Sequence, residues 1–259
     1  MAEPATVRSR SAGAPRERCR TGIEGIDNIL EGGIPKGNTV LVAGSVGTGK
    51  TTLALEFLIR GAEVGERSLF LSVTEASEKL LENMRGFEFF DPALLASGAL
   101  TFVDVPVLYA KLGLTQEELG VDEIDALLQT IERLLSETQA QRVVIDSITS
   151  LGYRMRREER IRDFMLRLSQ MLAHRGCTTL IVSEIGPLPG RYSLHGVEEV
   201  VVDGVVLLGN ARRQGDILRV LQVIKMRGTS HSRAQYVVEM TPIGLLLAPH
   251  LKGDRVEEG

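Results

Sequence analysis

The sequence predicts an α/β fold in which a mostly parallel, twisted β-sheet is flanked by helices and closed by an antiparallel C-terminal meander. Short apolar runs alternate with longer segments of helical period from residue 39 to residue 183, which is the order of a parallel sheet with helical crossovers. After residue 186, β-rich runs follow one another across short polar turns without a long helix between them. Of the 259 residues, 43% are hydrophobic and 25% are charged, which excludes a chain that is disordered throughout.

Each element is predicted from its own run of residues. The candidate strands of the parallel part are residues 39–43, 68–73, 100–105, 142–145 and 178–183. The candidate helices are residues 51–64, 77–85, 121–138 and 157–174, and the candidate meander strands are residues 200–208, 217–226 and 235–240. In the last helix, apolar side chains recur at steps of three and four residues, which predicts one stripe packed on the sheet. The stripe consists of Ile161, Phe164, Met165, Leu168, Met171 and Leu172.

One folded domain is expected between two short tails. Residues 1–18 lack an apolar period and are predicted to be a flexible tail, residues 19–250 form the domain, and residues 251–259 form a short C-terminal tail. No apolar run reaches the roughly 18 residues that span a bilayer, and the start lacks a secretion signal. Cys19 and Cys177 lie too far apart for a zinc or redox motif. We therefore expect a reduced, cytoplasmic protein with no membrane partner.

A glycine-rich segment between a predicted strand and a predicted helix fits the phosphate-loop pattern G-x-x-x-x-G-K-[ST]. Its glycines let successive backbone N–H groups point inward at an electropositive helix start, where phosphates bind. Lys50 would reach the β- and γ-phosphates, and the Thr51 hydroxyl would ligate Mg²⁺. A glycine-rich turn that matches by chance is the alternative. The candidate nucleotide-binding residues of this segment are Gly44, Ser45, Val46, Gly47, Thr48, Gly49, Lys50, Thr51 and Thr52.

A magnesium–nucleotide site also needs a carboxylate at the end of a neighbouring buried strand. Asp146 follows the apolar run 142–145 and supplies one. An aspartate in this position could instead cap a turn or helix. Together with the phosphate loop, the sequence favours Thr51 and Asp146 as the metal ligands.

Several segments together resemble the KaiC-like branch of the RecA superfamily of ATPases. They are T-G-I-E-G-I-D from residue 21, G-G-I-P-K-G from residue 32, the phosphate loop, V-I-D-S from residue 144, G-V-E-E from residue 196 and K-M-R-G-T-S-H from residue 225. The last run is the most specific of these. The resemblance covers residues 19 to about 250 and implies a RecA-like P-loop core with one nucleotide site. It also implies ATP and Mg²⁺ as cofactors, assembly with copies of itself into a hexameric ring, and an unknown signalling partner protein.

The basic run from residue 225 lies at the end of a predicted strand. By the resemblance it reaches across a ring interface, where Lys225 and Arg227 act catalytically on the γ-phosphate of the neighbouring subunit. The residues that line the neighbour's nucleotide would be Lys225, Met226, Arg227, Thr229 and His231. A solvated basic turn is the alternative interpretation.

Hydrolysis needs a group that activates water beside the γ-phosphate. The resembled family has two adjacent glutamates after the second strand, of which the first is the base, whereas this chain has Thr74 followed by Glu75. Either Glu75 takes the catalytic role or turnover is slow, and Glu75 could also be only an early-helix acid. Glu184, after the run 178–183, is a second carboxylate that could sense the γ-phosphate or simply end its strand.

Three functions remain open from the sequence. The favoured one is a ring-forming Mg-ATPase with low turnover, and the second is a switch or scaffold that binds ATP without hydrolysing it. The third is a DNA-binding recombination factor, because seven arginines against three acids give residues 153–175 a local net charge of +4. The net charge of the chain is −4, and only Tyr153 offers an aromatic platform there, so we expect no nucleic-acid partner.

Overall fold

The computed structural model describes residues 16–111, 113, 118–185, 191–213 and 215–249. The strands are β1 (Arg18–Cys19), β2 (Ile34–Pro35), β3 (Thr39–Gly44), β4 (Ser68–Ser72), β5 (Leu100–Asp104), β6 (Arg142–Asp146), β7 (Thr178–Glu184), β8 (Gly204–Arg213), β9 (Asp216–Met226), β10 (Gln235–Thr241) and β11 (Gly244–Pro249). The helices are α1 (Glu24–Ile29), α2 (Lys50–Glu63), α3 (Ser77–Met84), α4 (Ala93–Ala96), α5 (Val105–Lys111), α6 (Val121–Thr138), α7 (Ile148–Met155), α8 (Glu158–His174) and α9 (Glu198–Val201).

A nine-stranded sheet organises the fold in the order β11-β10-β9-β8-β3-β7-β6-β4-β5. The six strands from β8 to β5 in this order are mutually parallel. β9, β10 and β11 continue the sheet as an antiparallel meander. The predicted α/β class and the closing meander are therefore confirmed.

Some elements differ from the sequence expectations. The first part of the predicted strand 200–208 is helix α9, and β8 begins only at Gly204 and runs parallel to β3. The strand β11 and the short helices α1, α4, α5 and α7 were not predicted, and neither was the β1–β2 pair. Arg18, assigned to the tail, lies in β1, while residues 1–15 and 250–259 lie outside the described residues. The tail and domain boundaries stay predictions.

Hydrophobic layers cover both faces of the sheet. One layer includes the buried side of α2, and the other includes α6 and α8. The predicted stripe of α8 is buried, except that Met171 is only partly covered. Because parallel strands end at the same edge, β3, β4, β6 and β7 bring their carboxyl ends together there. Among the described residues, no helix has both the length and the apolar character that a membrane crossing requires.

Both cysteines are free and buried, Cys19 at 3% exposure and Cys177 at 1%. Burial raises the pKa of each thiol to about 11. Thiolate is the reactive species, so at pH 8 each native thiol should hold about a hundredfold less of it than an ordinary cysteine. We expect slow labelling of both cysteines by a thiol-specific disulfide reagent in the native protein and fast labelling in denaturant. Fast stoichiometric labelling of the native protein would contradict this placement.

Candidate nucleotide-binding site

The loop after β3 has a shape that depends on its glycines. Gly47 and Gly49 have φ angles of 78° and 94°, in the left-handed region that glycine occupies without steric cost. A Cβ on Gly44 would overlap the carbonyl oxygen of Leu208 in the adjacent strand. The buried Thr48 closes the loop by donating its hydroxyl to the Ser45 carbonyl at 2.9 Å. The loop therefore curls tightly between β3 and α2, as its motif predicts.

Helix α2 begins at Lys50, at the mouth of this loop. The first amides of a helix have no partner within the helix and carry partial positive charge, which favours a bound phosphate. Lys50 Nζ donates to the Ser45 carbonyl at 2.9 Å, so the cation lies over the loop. Burial lowers the pKa of Lys50, while Glu184 and Asp146 oppose that shift. Thr52 follows in the same first turn, half-buried.

Thr51 and Asp146 meet across the sheet edge, since the Thr51 hydroxyl donates to Asp146 Oδ2 at 2.7 Å. Burial raises the pKa of Asp146; the Thr51 hydrogen bond and Lys50 lower it, and the nearby charges of Glu75 and Glu184 raise it. A cation here would relieve the repulsion among the carboxylates. Hydroxyl and carboxylate oxygens are the ligands that Mg²⁺ takes beside phosphates, so these residues fit a magnesium ion.

A metal bound only by protein side chains would need a larger ligand set. Within the described ranges, no group of three or more His, Cys, Asp or Glu residues is arranged to hold one. With Thr51 and Asp146 as the protein ligands, phosphate and water oxygens would complete the shell of a magnesium ion, as is usual for Mg²⁺.

The candidate hydrolytic residues lie at the same edge. Thr74 is exposed just beyond β4, whose Ser72 is paired with Asp146 of β6. Glu75 is 34% exposed, and its carboxylate lies 3.0 Å from Lys79 Nζ in the next turn of chain. Glu184 is exposed at the end of β7, opposite Gly44, and its backbone N–H donates to the Thr149 hydroxyl at 2.9 Å. The charges of Glu184 and Asp146 act on Lys50, and that of Glu75 acts on Asp146.

The basic run from residue 225 lies at the opposite edge of the sheet from the phosphate loop. Val40 is paired with Gly204, and Gly204 with Met226, whereas the loop starts four residues further along β3 at Gly44. Four residues of strand are about 13 Å, and two strand spacings separate β3 from β9. The chain after Met226 then continues beyond that edge. Lys225 and Arg227 therefore cannot reach the phosphate loop of their own chain.

Contacts within the chain hold this run in place. Lys225 Nζ donates to the carbonyls of Glu199 at 3.0 Å and Val202 at 2.6 Å. Burial lowers the pKa of Lys225, and the charge of Arg227 lowers it further. Arg227 is half-exposed and lies 3.6 Å from Asp203.

The other three members of the run differ in exposure. Met226 is only 5% exposed, so its side chain belongs to the hydrophobic core and not to a surface that could line a neighbour's nucleotide. Thr229 and His231 are partly exposed and bonded to nearby carbonyls. Of the five residues, Arg227 is the most exposed, whereas the Lys225 ammonium is held by carbonyls of its own chain.

The family model for the KaiC ATPase matches residues 19–252. The chain belongs to the KaiC ATPase family. Its relatives include a UPF0273 protein of Thermotoga maritima, 34% identical over 243 residues that cover 92% of this chain and 98% of that protein. The circadian clock oscillator protein KaiC of Synechococcus elongatus is 34% identical over 233 residues, but these cover 90% of this chain and 44% of the clock protein.

A solved structure is also similar to this chain in fold and sequence. The KaiC-like protein of Pyrococcus horikoshii is 34% identical with a TM-score of 0.78, and the match covers 91% of this chain and all of that one. This chain is therefore a single-domain KaiC-like member of the RecA superfamily of P-loop ATPases. The resemblance drawn from the motifs is confirmed.

Several arginines of the KaiC-like domain between residues 154 and 175 are paired with acids. Arg160 lies 2.8 Å from Glu118, and Arg175 lies 3.0 Å from Glu132 of α6. Arg167 is 2.7 Å from Asp125 and 3.4 Å from Asp163. Most of these acidic partners lie in α6 or just before it. They were therefore not included in the net charge of +4 for residues 153–175. The expectation that nucleic acid is not a partner stays a prediction.

Two residues near the loop were missed by the sequence analysis. Arg219 of β9 donates from Nε to the Gly47 carbonyl at 3.3 Å. The side chain of Met240 in β10 lies against Gly49, where an added Cβ would overlap it. Neither contact could be inferred from the sequence, because both require the register of β9 and β10 against the rest of the sheet.

Proposed function

We propose that this KaiC-like protein binds ATP with Mg²⁺, assembles with ATP into a ring of six identical subunits, and hydrolyses ATP slowly to change subunit contacts. The main observation behind this proposal is the glycine-shaped loop whose Thr51 hydroxyl donates to the half-buried Asp146 at 2.7 Å. We further propose that the ring signals its nucleotide state to a partner protein in the cytoplasm. The free thiols of Cys19 and Cys177 favour that reducing compartment.

Each group has a distinct task in this proposal. The loop amides and Lys50 orient the β- and γ-phosphates, and Thr51 and Asp146 would hold the cation. Bound Mg²⁺ supplies charge neutralisation at the phosphate oxygens. Glu75 accepts a proton from the attacking water, which its pairing with Lys79 makes less effective. Lys225 and Arg227 of the adjacent copy stabilise the charge that spreads over the γ-phosphoryl group.

The ring part of the proposal draws its support from the position of the basic run. A head-to-tail contact would set the edge that carries Lys225 and Arg227 against the loop edge of the next copy. A contact of this kind closes into a ring when the rotation that relates neighbouring subunits is a whole-number fraction of 360°. In such a ring, every nucleotide would be held by one chain and completed by the next.

Phosphate release and particle mass test this function together. We expect Mg-ATP to raise the mass measured by light scattering from one subunit to six, and phosphate to be released slowly. Lys50→Ala should lose phosphate release, because the loop then lacks the cation that orients the γ-phosphate, while the remaining loop amides should still hold nucleotide at saturating Mg-ATP and let the ring assemble. Arg133→Ala, which removes a charge from an exposed pair on α6, is a matched control and should behave like the wild type. ATP binding without any change in mass would contradict the ring.

A nucleotide switch that does not hydrolyse ATP is the second candidate. It is favoured by the exposed Thr74, which has no carboxylate where the family's first glutamate stands, and by the engagement of Glu75 with Lys79. Phosphate release no faster than that of Lys50→Ala, together with intact ATP binding and ring formation, would support the nucleotide switch and contradict ATP hydrolysis by this protein.

A further inference from the structure

Asp203 joins the start of β3 to the start of β8. Its backbone N–H donates to the Thr39 carbonyl at 2.8 Å, and its Oδ2 accepts the Thr39 N–H at 3.1 Å. Both main-chain groups of the first β3 residue are thus bound by one aspartate. The carboxylate is therefore fixed relative to the central strand of the sheet.

The same aspartate also holds Arg227. The Arg227 backbone N–H donates to the Asp203 carbonyl at 2.9 Å, and Arg227 Nη1 lies 3.6 Å from Asp203 Oδ1. The buried Asn38, just before β3, donates its side-chain N–H to the Arg227 carbonyl at 2.9 Å. The main chain and the guanidinium of Arg227 are thus both held at the start of β3. Of the two Asp203 carboxylate oxygens, Oδ2 binds the β3 main chain and Oδ1 faces Arg227.

The ion pair between Arg227 and Asp203 adds little to the stability of the fold. The side chains of Arg227 and Asp203 are 54% and 33% exposed, and ion pairs so open to water contribute little to folding. A fixed orientation matters more to a group that stabilises transferring phosphate, because misplacement of a charge by about 1 Å can cost a hundredfold in rate.

We propose that Asp203 is a positioning residue that holds the Arg227 guanidinium in the orientation from which it reaches the nucleotide of an adjacent copy. This inference rests on the proposed function in trans. A guanidinium has five N–H donors on three nitrogens, and the contacts with Asp203 and with the Val201 carbonyl both use Nη1. Nε and Nη2 can therefore donate to phosphate oxygens while the contact with Asp203 is kept.

The central variant is Asp203→Asn, which keeps an oxygen acceptor for the Thr39 N–H and removes the charge that faces Arg227. We expect kcat for phosphate release to fall about tenfold, within the range for coupled charge pairs, while KM for ATP stays unchanged. Asp203→Glu keeps the charge and should retain more turnover than Asp203→Asn. Asp163→Asn, which opens an exposed pair with Arg167 on α8, should leave both constants unchanged.

Mixed rings separate positioning from a structural defect. Asp203→Asn subunits have an intact phosphate loop, and Lys50→Ala subunits have an intact Asp203–Arg227 pair. In an equimolar mixture, half of the Asp203→Asn loops face such a neighbour, so turnover per Asp203→Asn subunit should rise roughly fivefold. No rise would place the defect in the variant's own site and overturn the inference.

The remaining outcomes distinguish this inference from the proposed function. Wild-type turnover of Asp203→Asn, with Arg227→Ala inactive, overturns the positioning role and leaves the function in trans standing. Wild-type turnover of Arg227→Ala overturns the function in trans itself. A lower turnover of Asp203→Glu than of Asp203→Asn also contradicts positioning by charge.

Discussion

Arg227→Ala is expected to reduce phosphate release to the background of Lys50→Ala while leaving ATP binding intact. The reason is that a cation delivered to the γ-phosphate in trans contributes on the order of a thousandfold to phosphoryl transfer. Arg227 lies at the sheet edge opposite its own phosphate loop, and the binding residues of that loop are untouched by the change. Single-turnover phosphate release and binding of a fluorescent ATP analogue measure the two properties separately.

Mixing the two inactive variants should restore activity. In a random equimolar ring, half of the subunits carry an intact loop, and half of those face an intact Arg227, so about a quarter of wild-type turnover is expected. Two different affinity tags confirm that the variants assemble together. Rings that contain both variants and release no phosphate would show that Arg227 does not act across the interface.

The parts of the fold that depend on local pattern were predictable. Apolar runs bounded by turns gave the strands of the parallel sheet, and the phosphate loop followed from three glycines between a strand and a helix. Asp146 was predicted to lie near this loop because it closes a buried strand of the parallel sheet, and the structure brings it to the Thr51 hydroxyl; its metal role stays a prediction. These inferences need only neighbouring residues, so the sequence contains what they require.

Features that depend on distant partners were not predictable. The valines at 200–202 have β propensity, yet the preceding turn enters helix α9, where the buried Glu198 accepts a hydrogen bond from Ser193 at 2.7 Å. The arginine-rich segment appeared basic because its acidic partners, such as Glu118, lie some forty residues earlier in the chain. The task of Asp203 requires the pairing of β3 with β8, which periodicity alone does not give.

Thr74→Glu is expected to raise phosphate release about tenfold or more, because a positioned general base contributes roughly a hundredfold or more to catalysis. Residue 74 is exposed just beyond β4 and follows Val73, whose N–H donates to the Asp146 carbonyl at 2.7 Å, so a carboxylate there would lie beside the metal edge of the site. Thr74→Gln has nearly the same size and hydrogen-bonding reach but cannot accept a proton at neutral pH, which makes it the matched control. If Thr74→Glu is no faster than Thr74→Gln, hydrolysis in this chain is not limited by a missing base. Glu75→Gln would then be expected to abolish the remaining turnover, since Glu75 would be the carboxylate that performs the step.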